Sequence, residues 1–352
     1  MGQILQDQYS KAFSNPNAID LDDFPIQETT LHGSEISDIE MSVEDFISAI
    51  DELNSSSAGG PDKVPAIILK ECKLQLALIF LRLWRKSIDN SDIASIFRLQ
   101  CIIAIFKNGN KSDAENYRPV SLTSHIIKIF ERVIRKALVA FIETNNLLNT
   151  NQYGFRNGRS CLTQLLSHID NIMTDLSNDC NADVMYLDFS KAFDKVDHRI
   201  LLRKLYNFGI RGKLHKWITC FLSGRKQFVL IDGKKSITID VTSGVIQGTV
   251  LGPLFFLLYI NDMFEVVKNS ILKVFADDSK LHKLLKTLLD RILLEDDLNA
   301  IVKWSKKNNM ELNTTMFQLL QYGKNVSLKQ PYTLPDGTVL EASEYVKEYM
   351  PM

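Results

Sequence analysis

Two short apolar runs in this chain end in aspartate, and they constrain its fold more than any other feature. Val184-Met185-Tyr186-Leu187 leads into Asp188, and Leu272-Lys273-Val274-Phe275-Ala276 leads into Asp277-Asp278. Runs this short have strand length, not helix length. A tight hairpin between Leu272–Ala276 and Lys280–His282 would present Asp277-Asp278 at a sheet edge, beside a strand ending in Asp188. Carboxylates brought together this way repel one another. Mg²⁺ relieves that repulsion, because it favours one or two carboxylates together with substrate phosphate. Two such ions, about 3.5–4 Å apart, clamp the attacking and leaving oxygens of a phosphoryl transfer. The dipeptide alone says little, since Asp22-Asp23 and Asp296-Asp297 also occur. Those two read as solvated turn or helix faces on the surface.

The remaining pattern surrounds these strands with helices. Helical spacing marks Ser42–Leu53, ended by the loop signal Ser-Ser-Ser-Ala-Gly-Gly-Pro. Helices are expected at 65–89 and 124–146, with a strand pair around 99–106 and 117–122. Amphipathic helices follow at 196–207 and 211–222. Phe228–Ile231 and Ile237–Val241, joined through Asp232-Gly233, read as a hairpin. The loop Ser243–Gly252 leads into a helix with Pro253 in its first turn. A helix at 284–308 and a strand over Phe317–Tyr322 complete an α+β fold, a sheet covered by helices on one face. Residues 1–45, acidic and broken by prolines, read as a leader or linker.

Charge sharpens the functional reading. The 352 residues are 45% hydrophobic and 24% charged, an ordinary globular composition. Residues 1–65 hold thirteen acidic and two basic side chains, so a chain of net charge −1 carries +10 on the rest. The excess concentrates in 98–160 (ten basic, four acidic) and 191–235 (twelve basic, three acidic). Such surface can neutralise phosphates, the alternative being solvated helix faces. The five cysteines show no CxxC spacing, which points to a reducing compartment with neither disulfides nor a zinc site. Without a signal-like start or a long apolar run, the expected protein is intracellular (cytoplasm or nucleus), not secreted and not membrane-bound.

Five stretches carry a resemblance. Tyr186-Leu187-Asp188-Phe189-Ser190-Lys191-Ala192-Phe193-Asp194-Lys195-Val196-Asp197-His198 closely resembles motif A of the reverse transcriptases of non-LTR (LINE-type, jockey-like) retrotransposons. Ser243–Pro253 resembles their motif B, and Phe275-Ala276-Asp277-Asp278 their motif C. Asn116–Leu122 and Gln152-Tyr153-Gly154-Phe155-Arg156 resemble their fingers motifs. The resemblance covers roughly residues 55–340, judged on motif order and spacing.

It implies a right-hand polymerase that copies RNA into DNA, with fingers and palm and the thumb largely missing. The implied division is a 1–54 leader, 55–182 fingers, 183–325 palm, and 326–352 a partial motif E. Two Mg²⁺ ions, with Mn²⁺ as a substitute, would be held by Asp188 and Asp277, with Asp278 in support. The implied partners are an RNA template, a DNA primer and dNTPs. Phe193 would sit under the incoming sugar as a steric gate; read from the residues alone, it is a core aromatic at a helix start. Gln247 and Gly248 would line the nucleotide pocket, or form a simple strand-to-helix loop. Lys107 and Arg118 would reach the triphosphate, and Arg156 and Arg159 the template or primer. Without the motifs, all four are surface charges.

Three departures stand out. Met316 occupies the place where the family commonly has a motif D lysine, thought to protonate the leaving pyrophosphate. Ile246 replaces the proline before Gln-Gly. The chain is also expected to lack a thumb and the upstream endonuclease. A binding remnant that has lost turnover is therefore the alternative to an enzyme. An RNA-dependent RNA polymerase shares the carboxylates, but Phe193 argues against it, since ribonucleotides need room for the 2′-hydroxyl.

Overall fold

The computed structural model describes residues 1–14, 20–30 and 33–345. Its strands, in chain order, are β1 (Leu99–Phe106), β2 (Tyr117–Leu122), β3 (Asn181–Leu187), β4 (Lys226–Ile231), β5 (Lys234–Lys235) and β6 (Ile239–Asp240). Then come β7 (Ile271–Phe275), β8 (Asp278–Leu285), β9 (Gln318–Tyr322), β10 (Tyr332–Thr333) and β11 (Val339–Leu340). The fold is α+β, as expected. The chain divides into two compact units, Met1–Leu147 with Phe193–Leu258, and Leu148–Ala192 with Tyr259–Met352.

The first unit holds a sheet of order β2-β1-β4-β5, with β6 paired to β4. β1 and β2 are antiparallel, whereas β1 and β4 are parallel. The expected turn at Asp232 and Gly233 is present, both residues at positive φ, but Ile231 pairs across it with Lys234 of β5, and of the expected second strand only Ile239–Asp240 pairs, with Lys226 and Gln227. The helix Gly2–Ser10 packs Leu5 and Tyr9 against Ile102 of β1 and Val229 of β4. Part of the stretch read as a leader is thus core.

A second core in this unit is aromatic. Phe130, on the helix His125–Thr144, stacks on Trp84 at 4.3 Å and meets Trp217 edge-on at 5.0 Å. Phe46 joins it from the helix Val43–Asp51, whose start is fixed by a Ser42–Asp45 capping box. Acidic residues around that helix pair with basic helices: Asp45 with Lys136, Glu52 with Arg132, Asp51 with Lys73, and Asp38 with Arg85 and Lys213. The helix expected at 65–89 is divided at Cys72 into Ala66–Glu71 and Lys73–Asn90.

The second unit holds an antiparallel sheet of order β7-β8-β3-β9. Its strand β8 runs on to Leu285. The helix expected from 284 begins at Leu288, where a Thr287–Asp290 capping box sets its first turn. The helix Cys161–Ser177, which sequence periodicity did not single out, packs on β3 and β7. Its buried face is Gln164, His168, Ile172 and Asp175, while Leu162, Leu166, Ile169 and Met173 are exposed.

Asp296 is exposed on its helix, as expected, but Asp297 is buried, so the pair as a whole is not a solvated face. The Asp297 oxygens accept from the Lys268 and Asn269 backbone N–H groups at 2.9 and 2.8 Å, and from Asn269 Nδ2 at 3.2 Å. Those bonds replace the lost hydration of the carboxylate. Asp22 and Asp23 are exposed, as expected.

Candidate active site

In the second unit the carboxylates come from the ends of neighbouring strands. β3 and β8 pair with Leu187 opposite Ser279, so the register carried one residue further sets Asp188 opposite Asp278. β7 and β8 close at the pair Phe275↔Asp278, leaving Ala276 and Asp277 as the hairpin turn. Ala276 takes φ +56°, a conformation unusual outside glycine. Asp188 and Asp277 are half-buried and Asp278 is exposed.

These donors fit Mg²⁺ by their chemistry, hard oxygens at a solvent-accessible sheet edge. Among the described residues, no three His, Cys, Asp or Glu side chains converge into a ready-made cage. The set suits a cation whose shell is completed by substrate oxygens, better than one enclosed by protein alone.

The turn is buttressed by the Gln152–Arg156 stretch of the same unit. The Tyr153 N–H donates to the Val274 carbonyl at 2.8 Å, and the Val274 N–H to the Asn151 carbonyl at 3.0 Å. A Cβ placed on Gly154 would lie 2.4 Å from the Ala276 nitrogen, so only glycine permits this approach. Arg156 donates to the Asn149 carbonyl at 2.9 Å. Arg159 donates to the Thr150 carbonyl and lies 5.0 Å from the Tyr153 ring centroid. Both arginines therefore hold their own loop in this structure.

The same sheet meets the helix Cys161–Ser177. Its His168 Nε2 lies 3.3 Å from the Tyr186 hydroxyl, and its Asp175 is 2.9 Å from His282 Nε2 on β8. Burial, aided by nearby Lys280, pushes His168 down to about 3. The imidazole is therefore neutral at physiological pH.

In the first unit the proposed nucleotide residues form a second group. Gly248 (φ +111°) lies so close to β2 that a Cβ would meet the Ser121 carbonyl oxygen at 2.5 Å. The Ser121 N–H donates to the Gln247 carbonyl at 3.2 Å. Arg118, exposed on β2, donates through Nε to Gln247 Oε1 at 3.3 Å. Lys107 is exposed just past β1, its N–H bonded to the Asn116 carbonyl. Phe193 is half-buried, stacked on Phe256 at 4.3 Å and 16°, and its carbonyl accepts from Val245 N–H at 2.8 Å. The ring is thus oriented by packing, as either reading of Phe193 requires.

Sequence reasoning missed three residues that shape these groups. Glu131, fully buried, accepts from the Val250 and Leu251 N–H groups at 2.6 and 3.0 Å and so fixes the loop after Gly248. Burial raises its carboxyl above the usual range, opposed by those bonds and by Arg225. Gly154 lay inside a motif whose fit against the turn only the fold discloses. Asn313 bonds Asp188, and its one sequence signal is its place three residues before Met316.

Residues 107–327 match the family described as reverse transcriptase (RNA-dependent DNA polymerase). A probable RNA-directed DNA polymerase from transposon X-element of Drosophila melanogaster is 31% identical over 232 residues, covering 64% of this chain and 25% of the relative. The RNA-directed DNA polymerase from mobile element jockey of the same fly is 30% identical over 247 residues, 68% of this chain and 26% of the relative. A retrovirus-related Pol polyprotein from type-1 retrotransposable element R2 of Popillia japonica is 24% identical over 260 residues, 69% and 35%. The chain thus spans about a quarter to a third of the length of these relatives. Among the described residues, no helix is long and apolar enough to cross a membrane.

Proposed function

Because the chain belongs to the reverse transcriptase family, we propose that it is the polymerase part of a non-LTR retrotransposon enzyme, one that adds deoxynucleotides to a primer 3′ end along an RNA template. One observation carries this reading: Asp188 and the Asp277-Asp278 turn at the ends of adjacent antiparallel strands. In it, fingers span 55–182 and palm 183–325. Two Mg²⁺ ions, or Mn²⁺, supply charge neutralisation for the attacking and leaving oxygens when bound. Asp188 and Asp277 hold them, and Asp278 adds negative potential at the same edge. Lys107 and Arg118 bind the triphosphate, Arg118 by its planar fork. Phe193 rejects a 2′-hydroxyl, while Gln247 and Gly248 line the path of the nucleotide and template. Arg156 and Arg159 meet template or primer phosphates after leaving their loop carbonyls. The free cysteines support work inside the cell, in cytoplasm or nucleus.

The test is primer extension on an RNA template with Mg²⁺ and dNTPs. Extension by the wild-type chain supports the reading, and extension that survives Asp188→Asn sinks the metal assignment. A second reading, a duplex-binding remnant without turnover, draws on Met316. It is exposed in the turn Thr314–Met316, where the family's lysine would serve as general acid. Met316→Lys should then raise the extension rate, by up to ~10²–10⁴-fold. If the chain binds duplex yet extends nothing with either residue at 316, the remnant is the better account.

A further inference from the structure

Asp188 is gripped at two points by one residue. The Asn313 backbone N–H donates to the Asp188 carbonyl at 2.9 Å. Its side-chain Nδ2 donates to Asp188 Oδ2 at 3.2 Å. Alongside, Phe189 bridges Leu312 and the Ser190 N–H donates to the Glu311 carbonyl, so 311–313 runs antiparallel to 188–190.

The amide is itself oriented from its far end. Thr315 Oγ1 donates to Asn313 Oδ1 at 2.8 Å. The reverse orientation would set the amide oxygen against a carboxylate oxygen, acceptor against acceptor, so the partners decide the assignment. The Met316 N–H donates to the Asn313 carbonyl at 2.9 Å and closes the turn. A hydroxyl, an amide and a carboxylate thus form one directed chain from Thr315 to Asp188.

The neutrality of the donor matters. A lysine or arginine in this place would cancel the carboxylate charge and compete with a cation. An amide fixes the direction of one oxygen and leaves the full negative charge in place. Hydrogen bonds from outside a metal's ligand set do this widely, and losing one typically costs ~10–100-fold in metal affinity.

We propose that Asn313, held by Thr315, is a positioning residue that sets the direction in which Asp188 presents its carboxylate to a divalent cation. The proposal rests on the polymerase reading above. Asn313 touches no reacting atom; it acts through Asp188.

The experiment titrates Mn²⁺ into the full chain bound to an RNA template with a dideoxy-terminated DNA primer and the matching dNTP. Free Mn²⁺ is read by electron paramagnetic resonance, with thermal midpoint and duplex affinity as controls. Asn313→Ala should weaken Mn²⁺ binding by ~10–100-fold. Asn313→Asp, equal in size but replacing a donor by a second acceptor, should weaken it at least as much. Thr315→Val should give a smaller loss in the same direction, and duplex affinity should hold in all three. If Asn313→Ala does not fold, the Asp and Thr315 variants decide. If wild type binds Mn²⁺, Asp188→Asn loses it and the Asn313 variants keep wild-type affinity, the positioning role is overturned while the polymerase reading stands. If Asp188→Asn binds Mn²⁺ as tightly as wild type, the metal reading fails and takes this inference with it.

Discussion

Asp277-Asp278 crosses a hairpin turn, whereas Asp296-Asp297 lies inside the helix Leu288–Lys307 of the same unit. The dipeptides are chemically identical, and the surroundings divide their work. Both Asp297 oxygens are engaged by the amides of Lys268 and Asn269, so its charge fastens a loop to a helix. Asp277 and Asp278 keep solvent access at the end of a sheet, where a cation can approach. Burial with backbone donors turns a carboxylate into structure, and exposure at a strand end leaves it open to chemistry.

The largest expected effect tests the turn. Asp277→Asn should reduce primer extension by more than the ~10–100-fold that even outer partners of metal ligands cost. The thermal midpoint and duplex affinity should stay near wild type. A midpoint that collapses instead would make Asp277 structural and erase the contrast.

Asp297→Ala should behave in the opposite way. It removes a charged acceptor and strands two backbone donors, a loss of about 3 kcal/mol in unfolding free energy. Denaturant unfolding measures it, and Mn²⁺ affinity of the folded fraction should be unchanged. Loss of Mn²⁺ affinity at full stability would show that the helix pair shares in the chemistry.

The smallest effect concerns what holds the turn in place. Gly154→Ala drives a methyl into the Ala276 nitrogen, and overpacking of this kind costs about 1–3 kcal/mol. Part of that should appear as a shifted turn, seen as a raised Mg²⁺ requirement in primer extension. Unchanged stability and Mg²⁺ requirement would mean that the 152–156 stretch is a neighbour of the turn and not its support.

The sequence was most legible where one short segment decides its own structure. β3 and β7 are apolar runs ended by charge, and Asp232-Gly233 can adopt the positive φ that a tight hairpin needs. The helix Cys161–Ser177 escaped notice because its pattern is inverted. It buries Gln164, His168 and Asp175 and exposes Leu162, Leu166, Ile169 and Met173, so hydrophobicity points away from its packed face. The helix Gly2–Ser10 is anchored by Leu5 and Tyr9, too few apolar positions for a period to be read. In the candidate site, the aspartates were legible from their strand ends. Asn313, Gly154 and Glu131 were not, because each works through a partner at least a hundred residues away.

The ion pairs of the first unit bear on how this chain would meet a nucleic acid. Arg132, Lys136 and Lys213 belong to the basic stretches, yet each already faces a carboxylate from Asp38, Asp45, Glu52 or Asp89. The protein carries resident counterions on part of its own cationic surface. A phosphate arriving there displaces a side chain, which stays tethered, and not a salt ion that departs into solution. The entropy of ion release, which makes nucleic-acid affinity fall with added salt, is forgone at those positions. The dependence of duplex affinity on salt should therefore be shallower than the number of basic residues implies.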